Sequence, residues 1–451
     1  MRDRSDHYPF VNALVQLSAD VKSVLGADTN VTYAADWSEY FGHQPSDGSG
    51  DVYFHLDPLW ASDSMDAIGI DLYWPLSDWR PGEAHLDAQQ ASSIYDLDYL
   101  QSNITAGEGY DWYYANETDR DLQRRTPVRD DAAGKPWVFR YKDIKSWWQN
   151  QHYNRPGGIE SVVSTAWIPQ SKPIWIMETG CPAVDKGANQ PNVFYDPKSS
   201  ESLLPYYGEA RRDDFMQRRY LQALLEGFDP TAENYVDGYN PISEIFGGRM
   251  IDLSRIYIYG WDARPFPAFP ADTATWEDGP NWRFGHWLNG RFANLPLNDV
   301  VRQIFEDYGF STFAIPGLEG SVPGYVIDRI MATRDALQPL ELAYFFDTME
   351  TGGLITARHR GRDTSQVILT PDDAVEERPS DQLISRVRGQ ETELPASVKL
   401  RYISASGDYR SAVSEARRTT VHSSRRWCNV RSVNSLVGMS SFPFPACRER
   451  K

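Results

Sequence analysis

With 451 residues, 41% of them hydrophobic and 13% aromatic, the chain has the material for two or three globular domains. A formal net charge of -18 argues against a nucleic-acid binder, which needs Lys and Arg in excess at the phosphates. Three scattered cysteines, Cys181, Cys428 and Cys447, exclude a disulfide framework and a zinc site, so reduced thiols are expected.

From Tyr8 to Leu25 the apolar residues Phe10, Val11, Leu14, Val15, Leu17, Val21, Val24 and Leu25 recur at helical spacing, and Gly26 is a natural stop. Val31 to Ala35 reads as a short strand that runs into Asp36, Trp37, Ser38, Glu39 and Tyr40. After a loop rich in Gly, Ser and Asp and a helical stretch around Leu59, Ala67 to Asp71 reads as a second, buried strand leading into Tyr73 and Trp74. Residues 75–170 hold many Trp and Tyr among Asp, Asn and Gly with little strand pattern, a length that suits a lid or binding loop. Ile174 to Met177 is a third strand, closed by Glu178, Thr179 and Gly180. Phe215 to Leu225 reads as an amphipathic helix, and Ile256 to Tyr259 as a fourth strand ending at Gly260, Trp261 and Asp262.

Strands whose bodies are apolar and whose C-terminal ends are polar or aromatic are what a parallel β/α barrel requires, because those ends open onto its functional face. Four such strands are legible where a closed barrel has eight. Either four strands in the first 300 residues carry no legible pattern or, as an opening helix that feeds a strand favours, the first half of the barrel is expected upstream of Met1. The fold class is therefore α/β, a partial (β/α)8 TIM-type barrel with the later strands only over residues 1–295, followed by a small β-rich α+β module over 296–417. In that module a helix is expected over Pro296 to Phe310 and another near Arg329 to Leu337. Strands are expected at Tyr325 to Ile327, Leu342 to Phe346, Gly353 to Ala357, Val367 to Leu369 and Val398 to Ile403. Residues 418–451 are rich in Arg and Ser and hold two of the three cysteines. They read as a basic tail or, preferably, as translation out of frame after Arg417, and no structure is assigned to them.

Retaining glycoside hydrolysis needs two carboxyls about 5 Å apart on rigid strand ends. Glu178 fits one of those two roles, and Trp261, ending the next strand, suits a sugar platform. Asp71, Tyr73, Asp36, Trp37, Glu39 and His55 lie at or after strand ends, where they would bind hydroxyls or orient Glu178. The plainer alternative is that Glu178 caps the following loop or pairs with an Arg, and that the others are ordinary loop residues. The 15 Trp and 25 Tyr are likewise either core anchors or sugar-stacking groups. There is no metal-ligand spacing, no Gly-rich phosphate loop and no G-x-S-x-G elbow, so neither a metal nor a cofactor is expected.

The segments VTYAADWSEYFGHQPSDGSGDVYFHLDPLW, AIGIDLYWPLSDWR, KPIWIMETGCPAVDKGANQPNVF and IYIYGWDARPFPAFP resemble the TIM-barrel-like domain of gene transfer agent baseplate hub proteins, relatives of siphophage tail-tip proteins. IPGLEGSVPGYVIDRIMATRDALQPLELAYFFD resembles the tail-tip attachment module of the same family, over about 310–415. The resemblance implies a structural protein of a phage-like particle, working at the host envelope, with a glycosidase-type barrel embedded in it. It also implies that Glu178 matches the nucleophile ending the seventh strand and Trp261 the aromatic ending the eighth. The acid/base ending the fourth strand has no counterpart in this chain.

The expected function is thus a baseplate or tail-hub component whose barrel contacts envelope glycans. The alternatives are a glycoside or peptidoglycan hydrolase with Glu178 as nucleophile and its acid/base in a missing N-terminal half, or an autonomous sugar-binding module. The expected partners are other tail or baseplate subunits and an envelope polysaccharide or peptidoglycan, without nucleic acid. No stretch approaches the roughly 18 apolar residues of a membrane span, and MRDRSDHYPF lacks the apolar run of a secretion signal. Assembly in the cytoplasm and release by lysis within a particle are expected.

Overall fold

The computed structural model describes residue 3 and residues 6–195, 202–233, 235, 238–260, 264–265, 268–279, 285, 295–327, 329–360, 370, 397–404, 410–417 and 427–431. The chain divides into two compact units, Met1–Phe292 and Ala293–Lys451.

The first unit is built on four parallel strands: β1 (Ala34–Asp36), β2 (Ile68–Leu72), β3 (Ile174–Thr179) and β4 (Ile251–Ile258), paired in that order. This is the α/β, partial-barrel core that the strand pattern implies. Helix α1 (Pro9–Leu25) precedes β1, with Pro at its start, where a missing N–H costs nothing, and Gly26 at its end. Helix α2 (Asp214–Phe228) follows β3. Its first turn is capped by the Asp213 carboxylate, which accepts from the Met216 N–H at 2.9 Å. Phe215, Met216, Tyr220, Leu221, Leu224 and Phe228 recur at helical spacing and are all buried. The Tyr220 hydroxyl donates to the Trp74 carbonyl at 3.0 Å and Gln217 donates to the Cys181 carbonyl at 3.0 Å, so this helix grips the chain just beyond the ends of β2 and β3.

Gly69 lets β1 and β2 approach. A Cβ there would overlap the Tyr33 carbonyl oxygen, which belongs to backbone and cannot swing aside.

Residues 75–170 contain no long strand. They form short helices, among them Leu97–Ser102 and Ile144–Gln149, and a two-residue antiparallel pair, Trp112–Tyr113 with Thr126–Pro127. Buried polar knots hold them. The Lys142 ammonium donates to the carbonyls of Pro75, Asn103 (3.0 Å) and Ala106 (3.2 Å). Asp78 accepts from Tyr114 (2.6 Å), Arg125 (2.9 Å) and Gln123 (3.0 Å). His152, with a fully buried ring, donates from Nε2 to the Trp147 carbonyl at 2.8 Å and faces Asp57 through Nδ1 at 3.0 Å. Trp60, Trp74, Trp147, Trp148 and Trp167 are fully buried around this layer. At these five positions the tryptophans are core.

In the second unit, α3 (Leu297–Asp307) buries Leu297, Val300, Val301, Ile304 and Phe305 in a core shared with Ala336, Leu337 and Leu340 of α4 (Thr333–Tyr344). Strand β5 (Phe313–Ala314) pairs in parallel with β7 (Leu354–His359), which pairs antiparallel with β6 (Phe346–Thr351). Strand β8 (Ser397–Ser404) lies between β9 (Arg410–Arg417), antiparallel, and β10 (Trp427–Arg431), parallel. Two strand expectations are corrected. Residues 325–327 are not a strand, and 342–346 is divided between the end of α4 and the start of β6. The helix expected near Arg329 to Leu337 runs as α4 past Pro339, with Leu337 and Leu340 buried on either side of it, until Phe345, at φ 58°, reverses the chain. Strand β10 lies within a stretch for which the sequence suggests no element, and the strand expected at Val367 to Leu369 lies outside the described residues.

Candidate functional site

The ends of three consecutive strands of the first unit's sheet present carboxylates side by side. Asp36 of β1 is the Cα partner of Asp71 of β2, and Asp71 is the partner of Glu178 of β3. Cross-strand partners share a face of the sheet. The register between β2 and β3 is irregular here: Ile70 pairs with Ile176, while the next residue, Asp71, pairs with Glu178. Met177 is thus the extra residue of a bulge. Regular pairing would set Met177 beside Asp71; the bulge sets Glu178 there, the re-aiming for which bulges recur next to functional sites.

The Tyr73 hydroxyl, just past β2, donates to Glu178 Oε2 at 2.9 Å. Burial, then the Glu178 charge and its hydrogen bond, push the Tyr73 phenol far above its usual range, so it stays a donor. Asp71 is half-buried, and its Oδ1 is enclosed without a hydrogen-bond partner. Burial, reinforced by the Glu178 and Asp36 charges, raises its carboxyl to about 7. Beyond β1, Glu39 Oε1 lies 3.7 Å from His55 Nε2, and this contact holds the Glu39 carboxyl below its usual range. His55 packs against Tyr8, whose hydroxyl lies 2.7 Å from His43 Nδ1. Tyr33 bridges the two groups electrostatically, its phenol raised by burial and then by Glu39 and Asp71.

Of the residues singled out from sequence, the structure therefore brings Asp36, Asp71, Tyr73 and Glu178 together and sets the Glu39–His55 pair beside them through Tyr33. Trp37 is half-buried with its ring edge-on to Tyr141, at a centroid distance of 4.6 Å. Trp261 lies outside the described residues. Sequence reasoning missed Tyr33, since a Tyr inside a strand body carries no mark of a hydroxyl near a carboxylate. Among the described residues no group of His, Cys, Asp and Glu could hold a metal ion. No helix there is long and apolar enough to cross a membrane.

The chemistry available is a row of carboxyls in unequal environments, one hydrogen-bonded by a phenol and one held protonatable near neutrality. Such a row offers hydrogen-bond acceptors and a group that can carry a proton.

Residues 332–436 match the model of a family described as putative phage tail protein. Among solved structures, a chain of the virion of the native gene transfer agent particle is 28% identical, with a TM-score of 0.31, over 37% of this chain and 36% of that one. This chain thus spans 36% of the particle protein's length. No curated protein matches it. Residues 1–270 match the model of the gene transfer agent TIM-barrel-like domain, more than half of the 451-residue chain, and the protein belongs to that family, with a phage-tail module following the domain.

Proposed function

We propose that this protein is a structural baseplate or tail-hub component of a gene transfer agent or phage-like particle, and that its barrel-type unit contacts host-envelope glycan at the strand ends of β1, β2 and β3. The family match and the phage-tail module support the particle role. The alignment of Asp36, Asp71 and Glu178 on three adjacent strand ends, with Tyr73 holding Glu178, supports the glycan role. Carboxylates and phenols in that arrangement accept from and donate to sugar hydroxyls. Its partners are then other tail subunits and a polysaccharide or peptidoglycan, met after assembly in the cell and release with the particle by lysis. Sedimentation of the full chain with purified bacterial sacculi tests this. Retention that weakens in Glu178→Gln and Asp71→Asn supports the reading, whereas equal retention of wild type and both variants, or none at all, removes it.

A second reading, hydrolysis of the glycan with Glu178 as nucleophile, is favoured by the Tyr73 hydrogen bond. A donor on one carboxylate oxygen fixes the orientation of the side chain that would attack. Reducing-end release from sacculi, lost in Glu178→Gln, is the observation it requires.

A further inference from the structure

We propose that Asp71 is the acid of this site, giving its carboxyl proton to the glycosidic oxygen of a glycan whose anomeric carbon is attacked by Glu178. The proposal rests on the hydrolytic reading above and deepens it, because it finds the proton donor within this unit.

Register carries the argument. Asp71 and Glu178 are direct partners on neighbouring parallel strands, brought there by the bulge at Met177. Neighbouring strands lie about 4.8 Å apart, so the two side chains leave the sheet side by side, as the paired carboxyls of a retaining glycosidase must. The two carboxyls also have opposite surroundings. Glu178 accepts the Tyr73 hydroxyl at 2.9 Å, which fixes its carboxylate in place. Asp71 Oδ1 is enclosed and unpartnered, and the groups facing it are negative or neutral: Asp36 from β1, Glu178 from β3, Tyr33 ahead of β1 and Tyr73 beyond β2. Glu39, the next charge beyond Tyr33, is occupied by His55. Among the described residues no Lys or Arg forms an ion pair with Asp71. An enclosed carboxyl between two carboxylates, without a cation, holds its proton. Its rise to about 7 agrees with that geometry.

In the first step the Asp71 proton passes to the glycosidic oxygen as the bond from that oxygen to the anomeric carbon breaks. The aglycone leaves as an alcohol, and a Glu178 oxygen bonds to the anomeric carbon. In the second step water attacks that carbon, its proton returns to Asp71, and Glu178 departs as a carboxylate. One water is consumed, and the anomeric configuration is retained.

The test uses the full chain on bacterial sacculi, then on aryl glycosides of the released sugar. One glycoside carries a dinitrophenyl leaving group that departs without protonation, and the other an unactivated one. Glu178→Gln should abolish turnover of all three. Asp71→Asn should lose roughly 10²- to 10⁴-fold on sacculi and on the unactivated glycoside, and much less on the dinitrophenyl glycoside, whose turnover also shows that the variant is folded. The wild-type rate on sacculi should fall above about pH 7, a limb that Asp71→Asn lacks and Asp71→Glu keeps. Cleavage that needs Glu178 but is indifferent to Asp71, or an alkaline limb that survives in Asp71→Asn, overturns this proposal and leaves the hydrolytic reading standing. No cleavage of sacculi by the wild type overturns both.

Discussion

Asp71 and Tyr73 are two residues apart on one strand end and do opposite things to the proton inventory of the site. Asp71 is raised from 3.8 to about 7, so the folded protein binds that proton more tightly than the unfolded chain does. Its contribution to stability is therefore fully present below pH ~4 and is lost as pH climbs towards ~7. Asp71→Asn removes that slope: thermal melts of wild type and variant should agree near pH 4, with the variant melting higher at pH 8. A wild type that gains on the Asn variant as pH rises contradicts the assigned environment. Tyr73→Phe deletes one hydrogen bond of about 1 kcal/mol, which corresponds to a roughly fivefold loss of glycan affinity. The melting temperature should move by only a few degrees. Glu178 was legible as a strand-end carboxylate, since IWIM followed by a polar residue states both strand and terminus. Its hydrogen bond to Tyr73 was not, because nothing local links residues on two strands.

At the scale of elements, Gly69 and the His152–Asp57 pair make the most exposed claims. A methyl at Gly69 would meet the Tyr33 carbonyl and force β1 from β2, so Gly69→Ala should cost about 1–3 kcal/mol. Since Asp36 reaches the site on β1, glycan binding should fall with it. Chemical denaturation beside a sacculus-binding measurement checks both effects. The His152 ring is fully buried, and its Nε2 must carry a proton to meet a carbonyl. Asp57 balances the second nitrogen and also accepts from the Thr165 hydroxyl. Asp57→Ala leaves a buried His152 nitrogen and the Thr165 hydroxyl without their acceptor and should cost about 1–3 kcal/mol, read as a lowered denaturant midpoint. The strand bodies at 68–72 and 174–179 were legible because continuous apolar runs mark strands covered on both faces. The extent of α4 was not, because a proline is a local signal, whereas the burial of Leu337 and Leu340 that carries the helix past Pro339 is tertiary.

For the molecule as a whole, the formal charge of -18 sets the terms of any encounter at the envelope. An acidic protein approaching an anionic polysaccharide is repelled over about 10 Å at 0.1 M salt. Retention on anionic glycan should therefore strengthen as ionic strength rises from 0.01 to about 0.15 M, while retention on a neutral glycan stays level. Weakening with salt on the anionic glycan would instead point to a local basic contact. Each unit is organised around its own apolar core, the first rich in Trp and the second built on Leu297, Val301, Phe305 and Leu340.

Sequence alone determined the class of the protein: apolar strand bodies with polar and aromatic ends, in parallel β/α order, together with the segments that place it near gene transfer agent hub proteins. Those features are local, carried by periodicity and by contiguous residues. Only the tertiary structure decided which strand ends are neighbours and which aromatics are core. Register depends on hydrogen bonds between strands far apart in the chain, and a single inserted residue, Met177, chooses whether Asp71 faces a thioether or a second carboxylate. Burial likewise separates Trp60, Trp147 and Trp167, sealed inside, from side chains free to meet a ligand, a distinction that identical residue types cannot express in sequence.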